Sequence, residues 1–258
     1  MIIDKVLQAA RPYLEKRIVK DAVLGLSLIG IELDNGDIGL SYMLREDLPP
    51  GCSVFSFAQD IIGANAYEVA KLVKEGTDDA QRGVGIATLT AASCQQNLVD
   101  IDNVSYTFGV DVLPTDTVGM VGYIEPIAEK LLERAKKLIV FDSGVSKSGR
   151  QIDIISKMED QPKLLPSCDV VLITGTTIIN GTIDELLNLC KNAREIVLVG
   201  SSTPMFPEAF KKTNVTVLAG AWWNKNHKKE LFKLISIASG ISHVKKSMIK
   251  KAIRVINS

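Results

Sequence analysis

After Gly109, five short apolar runs alternate with helix-like stretches: VGMVGYI (118–124), KLIVFD (137–142), DVVLITG (169–175), EIVLVG (195–200) and VTVLAGA (215–221). Successive side chains on a strand point to opposite faces, so a run that is apolar at both odd and even positions must be covered on both sides. Two-faced strands separated by helices make a parallel α/β sheet. The second half of the chain is therefore expected to be α/β, a Rossmann-like parallel sheet with helices on both faces.

The residues before Gly109 have another texture. Val6, Leu7, Ala10 and Leu14 are spaced for one face of a helix, which Pro12 is expected to kink or split. In DAVLGLSLIGIELDNGDIGLSYML, runs of Leu, Ile and Val flank Asp34-Asn35-Gly36-Asp37. Asn-Gly accepts positive φ, so this is an antiparallel hairpin within a meander. Two helices follow. One carries Ile61, Ile62, Ala66, Val69, Ala70 and Val73; the other starts near Thr77 and runs through RGVGIATLTAASC. Gly83 and Gly85 weaken that second helix, which points to close backbone approach. At about 150 residues per domain, 258 residues suit two domains. The reading is a small α+β domain over 1–108 and the Rossmann-like domain over 109–258.

Charge and composition exclude several functions. Thirty basic and thirty acidic residues leave no net charge, against the basic surface that nucleic-acid binding needs. No apolar run reaches the roughly 18 residues of a membrane span, and the charged N-terminus has no signal-peptide core. Cys52, Cys94, Cys168 and Cys190 form no CxxC pair, so reduced thiols and a cytoplasmic location are expected. His227 and His243 are the only histidines, and without a Cys/His cluster no built-in metal site is expected. Residues 225–258 hold nine Lys/Arg against one Glu. There Ile241, Val244, Met248, Ala252 and Val255 are expected to line one face of a docked helix with a solvated lysine face. No cofactor is specified, and a homo-oligomer stays open.

In an open parallel sheet, ligands bind at the carboxyl ends of the strands. Those ends read Gly119-Met-Val-Gly122-Tyr123, Asp142-Ser-Gly144, Gly175-Thr176-Thr177, Gly200-Ser-Ser-Thr203-Pro204 and Gly220-Ala-Trp222-Trp223. Thr182 with Glu185 is a capping box that would start a helix near Ile183. Its free amides would favour an anion, with Gly181 allowing close approach and Asn180 offering a donor and an acceptor. Capping alone also explains Thr182 and Glu185. Ser202 or Thr203 would cap a further helix with Pro204 in its first turn. Asp142 lies 20 residues past Gly122, the spacing of a ribose-binding carboxylate, or it caps the loop after it. The first turn is GxxG, not GxGxxG, so NAD or FAD is not specified. Trp222 could stack on a flat ring. The candidate ligand-binding set is therefore Gly119, Gly122, Tyr123, Asp142, Gly175, Thr176, Thr177, Asn180, Thr182, Ser202, Thr203, Pro204 and Trp222. No catalytic acid, base or nucleophile can be named.

The blocks GVDVLPTDTVGMVGYI, LLPSCDVVLITGTTIINGTIDELL and VLVGSSTPMFPEAF resemble the family called putative heavy-metal chelation proteins. The likeness covers most of residues 105–223, and the lead segment resembles that family's enolase-N-terminal-like companion domain. Where members often end the RGVGIA helix in Ala-Asn-Ala, this chain reads IATLTAAS, and where they tend to carry Glu it has Asp142. The resemblance implies a small-molecule ligand in the crevice between the two domains, which Arg82 or Gly85 could close. The activity it implies is condensation or hydrolysis of a pterin-, flavin- or siderophore-like metabolite linked to metal chelation. A non-catalytic metal or metal-chelate binder is the alternative.

Overall fold

The computed structural model describes residues 1–45, 48, 55, 58–101, 107–148 and 154–256, without the side chains of 146–148. Cys52 lies outside the described residues. The lead segment begins with α1 (Ile2–Leu14), followed by β1 (Val19–Leu24), β2 (Leu28–Leu33) and β3 (Ile38–Tyr42). Helices α2 (Ala66–Ala70), α3 (Leu72–Glu75) and α4 (Asp79–Ser93) complete it. The second segment runs β4 (Thr117–Val121), α5 (Glu125–Leu132), β5 (Lys137–Phe141), α6 (Ser143–Ser148), α7 (Gln161–Leu164) and β6 (Val170–Thr174). It continues with α8 (Thr176–Ile179), α9 (Ile183–Leu189), β7 (Glu195–Val199), α10 (Pro207–Phe210), β8 (Val217–Trp223), α11 (Lys228–Ser236) and β9 (Met248–Arg254).

The expected meander is present: β1, β2 and β3 pair antiparallel in sequence order. Gly36 takes φ +81° at the turn, and the Asn35 side chain donates to Asp37 at 2.6 Å. Pro12 does not split α1, because it lies in the last turn, where little helix remains to be disrupted. The first of the two expected helices is shorter than predicted. It starts only at Ala66, where the Asn65 side chain accepts from the Tyr67 and Glu68 amides, and it gives way to α3 after Lys71.

Every residue of β2 is buried, because the small sheet is covered on both faces. Ile29, Ile31 and Leu33 join Val84, Ile86 and Leu89 of α4. Leu28, Ile38 and Leu40 join Ala221, Trp223, Leu231, Phe232 and Ile235 from the other end of the chain. The same core that holds α1 and α4 also contains Val171, Ile173, Leu198 and Leu218 from the larger sheet. Burial of each such side chain contributes about 1.5–3 kcal/mol, and both halves draw on one apolar interior.

The larger sheet has the order β5-β4-β6-β7-β8-β9, with β4 to β8 parallel. All five predicted strands are found. The sixth is a correction: residues expected as a C-terminal helix form two short turns and β9, which pairs antiparallel with β8. The stripe from Ile241 to Val255 satisfied a helical spacing, but α11 ends at Ser236 and the chain turns at Gly240. β-Branched Ile249, Ile253 and Val255 favour the extended form, and lysines suit an edge strand. Lys245, Lys246 and Lys250 are exposed, in line with the expected solvated lysines, while two lysines nearer the start of the tail reach buried carboxylates. Lys225 pairs with buried Asp37 at 2.6 Å, and Lys228 with buried Glu32 at 3.3 Å. His243 sits in a short turn instead of on a helix.

Candidate functional site

The chain runs from β4 to β5 on one side and then returns to β6 on the other side of β4. The loops leaving β4 and β6 therefore diverge, and this is where an open α/β sheet presents a crevice. Three consecutive strand ends meet there without side-chain bulk. Gly122 follows β4 at φ +91° and Gly200 follows β7 at φ +115°, both in a region that L side chains avoid. Thr174, the last residue of β6, stands between them. A Cβ on Gly122 would lie 2.6 Å from Thr174 Cγ2, and one on Gly200 would lie 4.0 Å from Thr174 Oγ1. Thr176 Oγ1 donates to Thr174 Oγ1 at 3.2 Å, and Thr177 Oγ1 donates to the Thr174 carbonyl at 2.7 Å. Gly122, Thr174, Thr176 and Gly200 are half-buried, so hydroxyls and backbone stay within reach of a ligand at this junction of strand ends, the notch.

One wall is fixed by Asp142. Its Oδ2 accepts from the Tyr123 amide at 2.7 Å, and its Oδ1 accepts from the Val145 amide at 2.8 Å. The carboxylate thus caps α6 and ties β4 to β5, which is the capping role foreseen beside the ribose one. Burial, then Glu125 and Glu129, push the Tyr123 phenol up, so it stays protonated near neutral pH.

The opposite wall is buried. Gly175 lies so close under the turn from Gly200 to Thr203 that a Cβ would come within 2.7 Å of Ser202 C and Thr203 N. The turn closes with the Thr203 amide donating to the Gly200 carbonyl at 3.0 Å. Ser202 Oγ accepts from the Tyr42 amide at 2.9 Å, which joins the end of β3 to this rim. Burial raises the Tyr42 phenol as well. Thr177, Ser202, Thr203 and Pro204 are buried here. Ser201 Oγ and Thr203 Oγ1 are buried with no hydrogen-bond partner among the described residues.

α9 starts at Ile183 as expected but without the expected cap, and the helix after β7 starts later than expected. Thr182 precedes α9 but has helical backbone angles and makes no cap bond; its hydroxyl donates to Asn180 Oδ1 at 2.8 Å. The turn residue Asn180 has captured the cap oxygen. After β7 the helix begins at Pro207, not Pro204, because Ser202 is spent on Tyr42 and residues 203–206 run on unwound.

The structure brings Gly122, Tyr123, Asp142, Gly175, Thr176, Thr177, Ser202, Thr203 and Pro204 to this rim. Other candidates lie apart. Gly119 is in the middle of β4, where its missing Cβ makes room for Cys168 Sγ. Asn180 and Thr182 bond each other in the turn after α8. Trp222 has its ring under the Lys251 ammonium, 4.8 Å from the centroid, so that face is taken. Arg82 is held by the Gly76 carbonyl at 3.2 Å and Asp79 at 2.9 Å, and Gly85 packs against Val73. Neither closes the crevice. Sequence reasoning missed Thr174 and Ser201 as contributors, though both adjoin a strand-end glycine. Tyr42 gave no signal, because its partner is 160 residues away.

Two open concavities lie elsewhere on the surface. One of about 250 Å³ is bordered by Asp4, Arg11, Tyr67 and Lys74, and one of about 510 Å³ by Lys5, Asp184, Lys191 and Lys212. Neither includes a candidate residue except through the neighbouring α9. The notch is preferred because it has the switch-point topology and buried hydroxyls without a partner among the described residues, whereas the linings of the two concavities include neither. Among the described residues, no three His, Cys, Asp or Glu side chains converge as a metal site. Burial pushes the thiols of Cys94 and Cys190 up to about 12 and that of Cys168 up to about 11, so they are protonated at neutral pH rather than poised as thiolate ligands. No described helix is long and apolar enough to cross a membrane.

Comparison with known proteins adds the family. Residues 106–254 match the DUF364 family model, described as putative heavy-metal chelation, and residues 7–93 match a second model, DUF4213, with the same description. A 145-residue stretch is 30% identical to an uncharacterised protein of Methanocaldococcus jannaschii, covering 55% of this chain and 54% of that protein. The match therefore spans about half the length of that curated relative. Two crystal structures of proteins with unknown function from the DUF364 family share the fold. The one from Pyrococcus horikoshii superposes with a TM-score of 0.82 at 21% identity, over 99% of this chain and 100% of its own. The one from Desulfitobacterium hafniense gives 0.79 at 20% identity, over 98% of each. With more than half of its length matched by the first model, this chain belongs to the DUF364 family of putative heavy-metal chelation proteins.

Proposed function

We propose that this chain binds a small acidic metabolite in the notch between the ends of β4, β6 and β7, and acts on it there. The observation that carries the reading is Thr174 flanked by Gly122 and Gly200, both with positive φ, at the switch point of a parallel sheet. Glycines in that conformation leave backbone exposed to a ligand, and the threonine hydroxyls provide direction. The lead segment (1–108) would close the site against the second domain (109–258) through Tyr42, which already bonds Ser202. A pterin-, flavin- or siderophore-like compound would place its acidic group in the notch and its flat part toward Tyr123.

A thermal-shift screen of pterins, flavin precursors, nucleotides and carboxylates tests this. A compound that stabilises the wild type should lose most of its effect in Thr176→Val, which removes a half-buried hydroxyl from the notch while keeping its shape. No stabilising compound in those classes, or an undiminished shift in the variant, would contradict the reading. Mass spectrometry of the stabilising compound after incubation with the protein separates turnover from binding alone.

The second reading, a non-catalytic binder of a metal or metal chelate, draws on the family description. With the described thiols protonated and no ligand cluster among the described residues, a preformed chelate is the better cargo. Metal retained stoichiometrically through dialysis by untagged protein would favour this second reading.

A further inference from the structure

We infer that the turn from Gly200 to Thr203 is an oxyanion-recognition element, in which Ser201 Oγ and Thr203 Oγ1 donate to two oxygens of one carboxylate or phosphoryl group. This rests on the notch reading above and names the part of the ligand that the notch holds. Ser201 is 5% exposed and Thr203 1% exposed, and neither hydroxyl has a hydrogen-bond partner among the described residues. The hydroxyl between them differs: Ser202 Oγ accepts from the Tyr42 amide at 2.9 Å. Buried hydroxyls are ordinarily paired, and an unpaired one is destabilising. Two in a single turn, directly after Gly200 of the notch, are costly in the free protein and become useful when a ligand arrives with acceptors. Each hydroxyl has one hydrogen to give. Two acceptor oxygens on one centre satisfy both with one bond each, and a negative charge on them strengthens both bonds. The backbone of the turn is held in place. It is closed by the Thr203 amide bond to Gly200, packed under Gly175, and fixed to β3 through Ser202.

This arrangement predicts opposite effects on stability and on binding. Removing the hydroxyls in Ser201→Ala/Thr203→Val should leave the melting temperature of the free protein unchanged or raised, because an unpaired buried group is deleted. The same variant should bind acidic probes about tenfold or more weakly, whereas Thr203→Ser should retain most of the affinity. The probes are benzoate and phenyl phosphate, with benzyl alcohol as the neutral control, titrated to millimolar concentration while the Gly122, Thr176 and Gly200 amide resonances are followed. Which acid binds the wild type more tightly assigns carboxylate or phosphoryl as the natural group. If neither acid moves those resonances in the wild type, the notch reading fails and this inference fails with it. If an acid does move them, the inference alone is overturned by any of three results: undiminished binding in the double variant, equal binding of benzyl alcohol, or a melting temperature several degrees lower in the double variant.

Discussion

Gly39→Ala is expected to lower the melting temperature by roughly 10 °C, or to prevent folding. Gly39 lies in β3 against α4, where a Cβ would come within 2.0 Å of the Ala87 carbonyl oxygen and 2.2 Å of the Ala91 amide nitrogen. Both are backbone atoms of a helix that cannot step aside. Ser41 Oγ donates to the Gly83 carbonyl at 2.7 Å, Thr90 Oγ1 donates to the Leu40 carbonyl at 3.1 Å, and α4 is buried along almost its whole length. Overpacking typically costs about 1–3 kcal/mol. A clash with backbone on a bolted helix belongs at or above the top of that range, about 3–4 kcal/mol, and each kcal/mol moves the midpoint by about 2–4 °C in a chain of this size. Gly240→Ala is the control, because none of the described residues comes within 4 Å of its Cβ position. Thermal unfolding followed by circular dichroism should separate the two variants clearly, and equal midpoints would show that the β3–α4 packing is wrong.

Gly122→Ala should be clearly more damaging than Gly200→Ala at the notch. Alanine at φ +91° carries a conformational penalty of about 1–2 kcal/mol, and its Cβ would meet Thr174 Cγ2 at 2.6 Å and Thr174 Cβ at 2.7 Å. The sum is about 2–4 kcal/mol. Gly200→Ala has a similar conformational penalty but no clash, its nearest neighbour being Thr174 Oγ1 at 4.0 Å. Thr174→Ser, which deletes Cγ2, should therefore recover part of the loss in Gly122→Ala and none of it in Gly200→Ala. Such a double-mutant cycle isolates the contact between strand ends. Both alanines place a methyl beside Thr174, so both should weaken a notch ligand by about tenfold or more, equivalent to about 1.4 kcal/mol. Chemical denaturation measures the stabilities and calorimetry the binding. Additive losses at both positions would mean that Thr174 does not touch Gly122.

Much of this was legible before the structure. The five parallel strands stood out because each had to be apolar on both faces, a demand that only a two-layer cover explains. The meander stood out because Asn35-Gly36 fixes a turn. Features that depend on competition between local partners were not legible. Asn180 takes the Thr182 hydroxyl that a capping box would have used, and Pro207 displaces Pro204 as a helix start once Ser202 is engaged by Tyr42. In β9, apolar spacing compatible with a helix was overruled by pairing with β8 across seven residue pairs. At the site, strand ends could be listed from the sequence, but the strand order that makes Gly122, Thr174 and Gly200 neighbours could not. That order also sets Trp222, on β8, beyond the strands that form the notch.

The central claim is the location of the ligand. The most direct measurement is a map of amide chemical-shift changes on isotope-labelled protein as the best compound from the screen is added. The notch reading predicts the largest changes at Gly122, Tyr123, Thr174 to Thr176 and Gly200 to Thr203, with Tyr42 moving through its bond to Ser202. Changes concentrated instead around Lys5, Lys191 and Lys212, or around Arg11, Tyr67 and Lys74, would place the ligand in one of the outer concavities and contradict it.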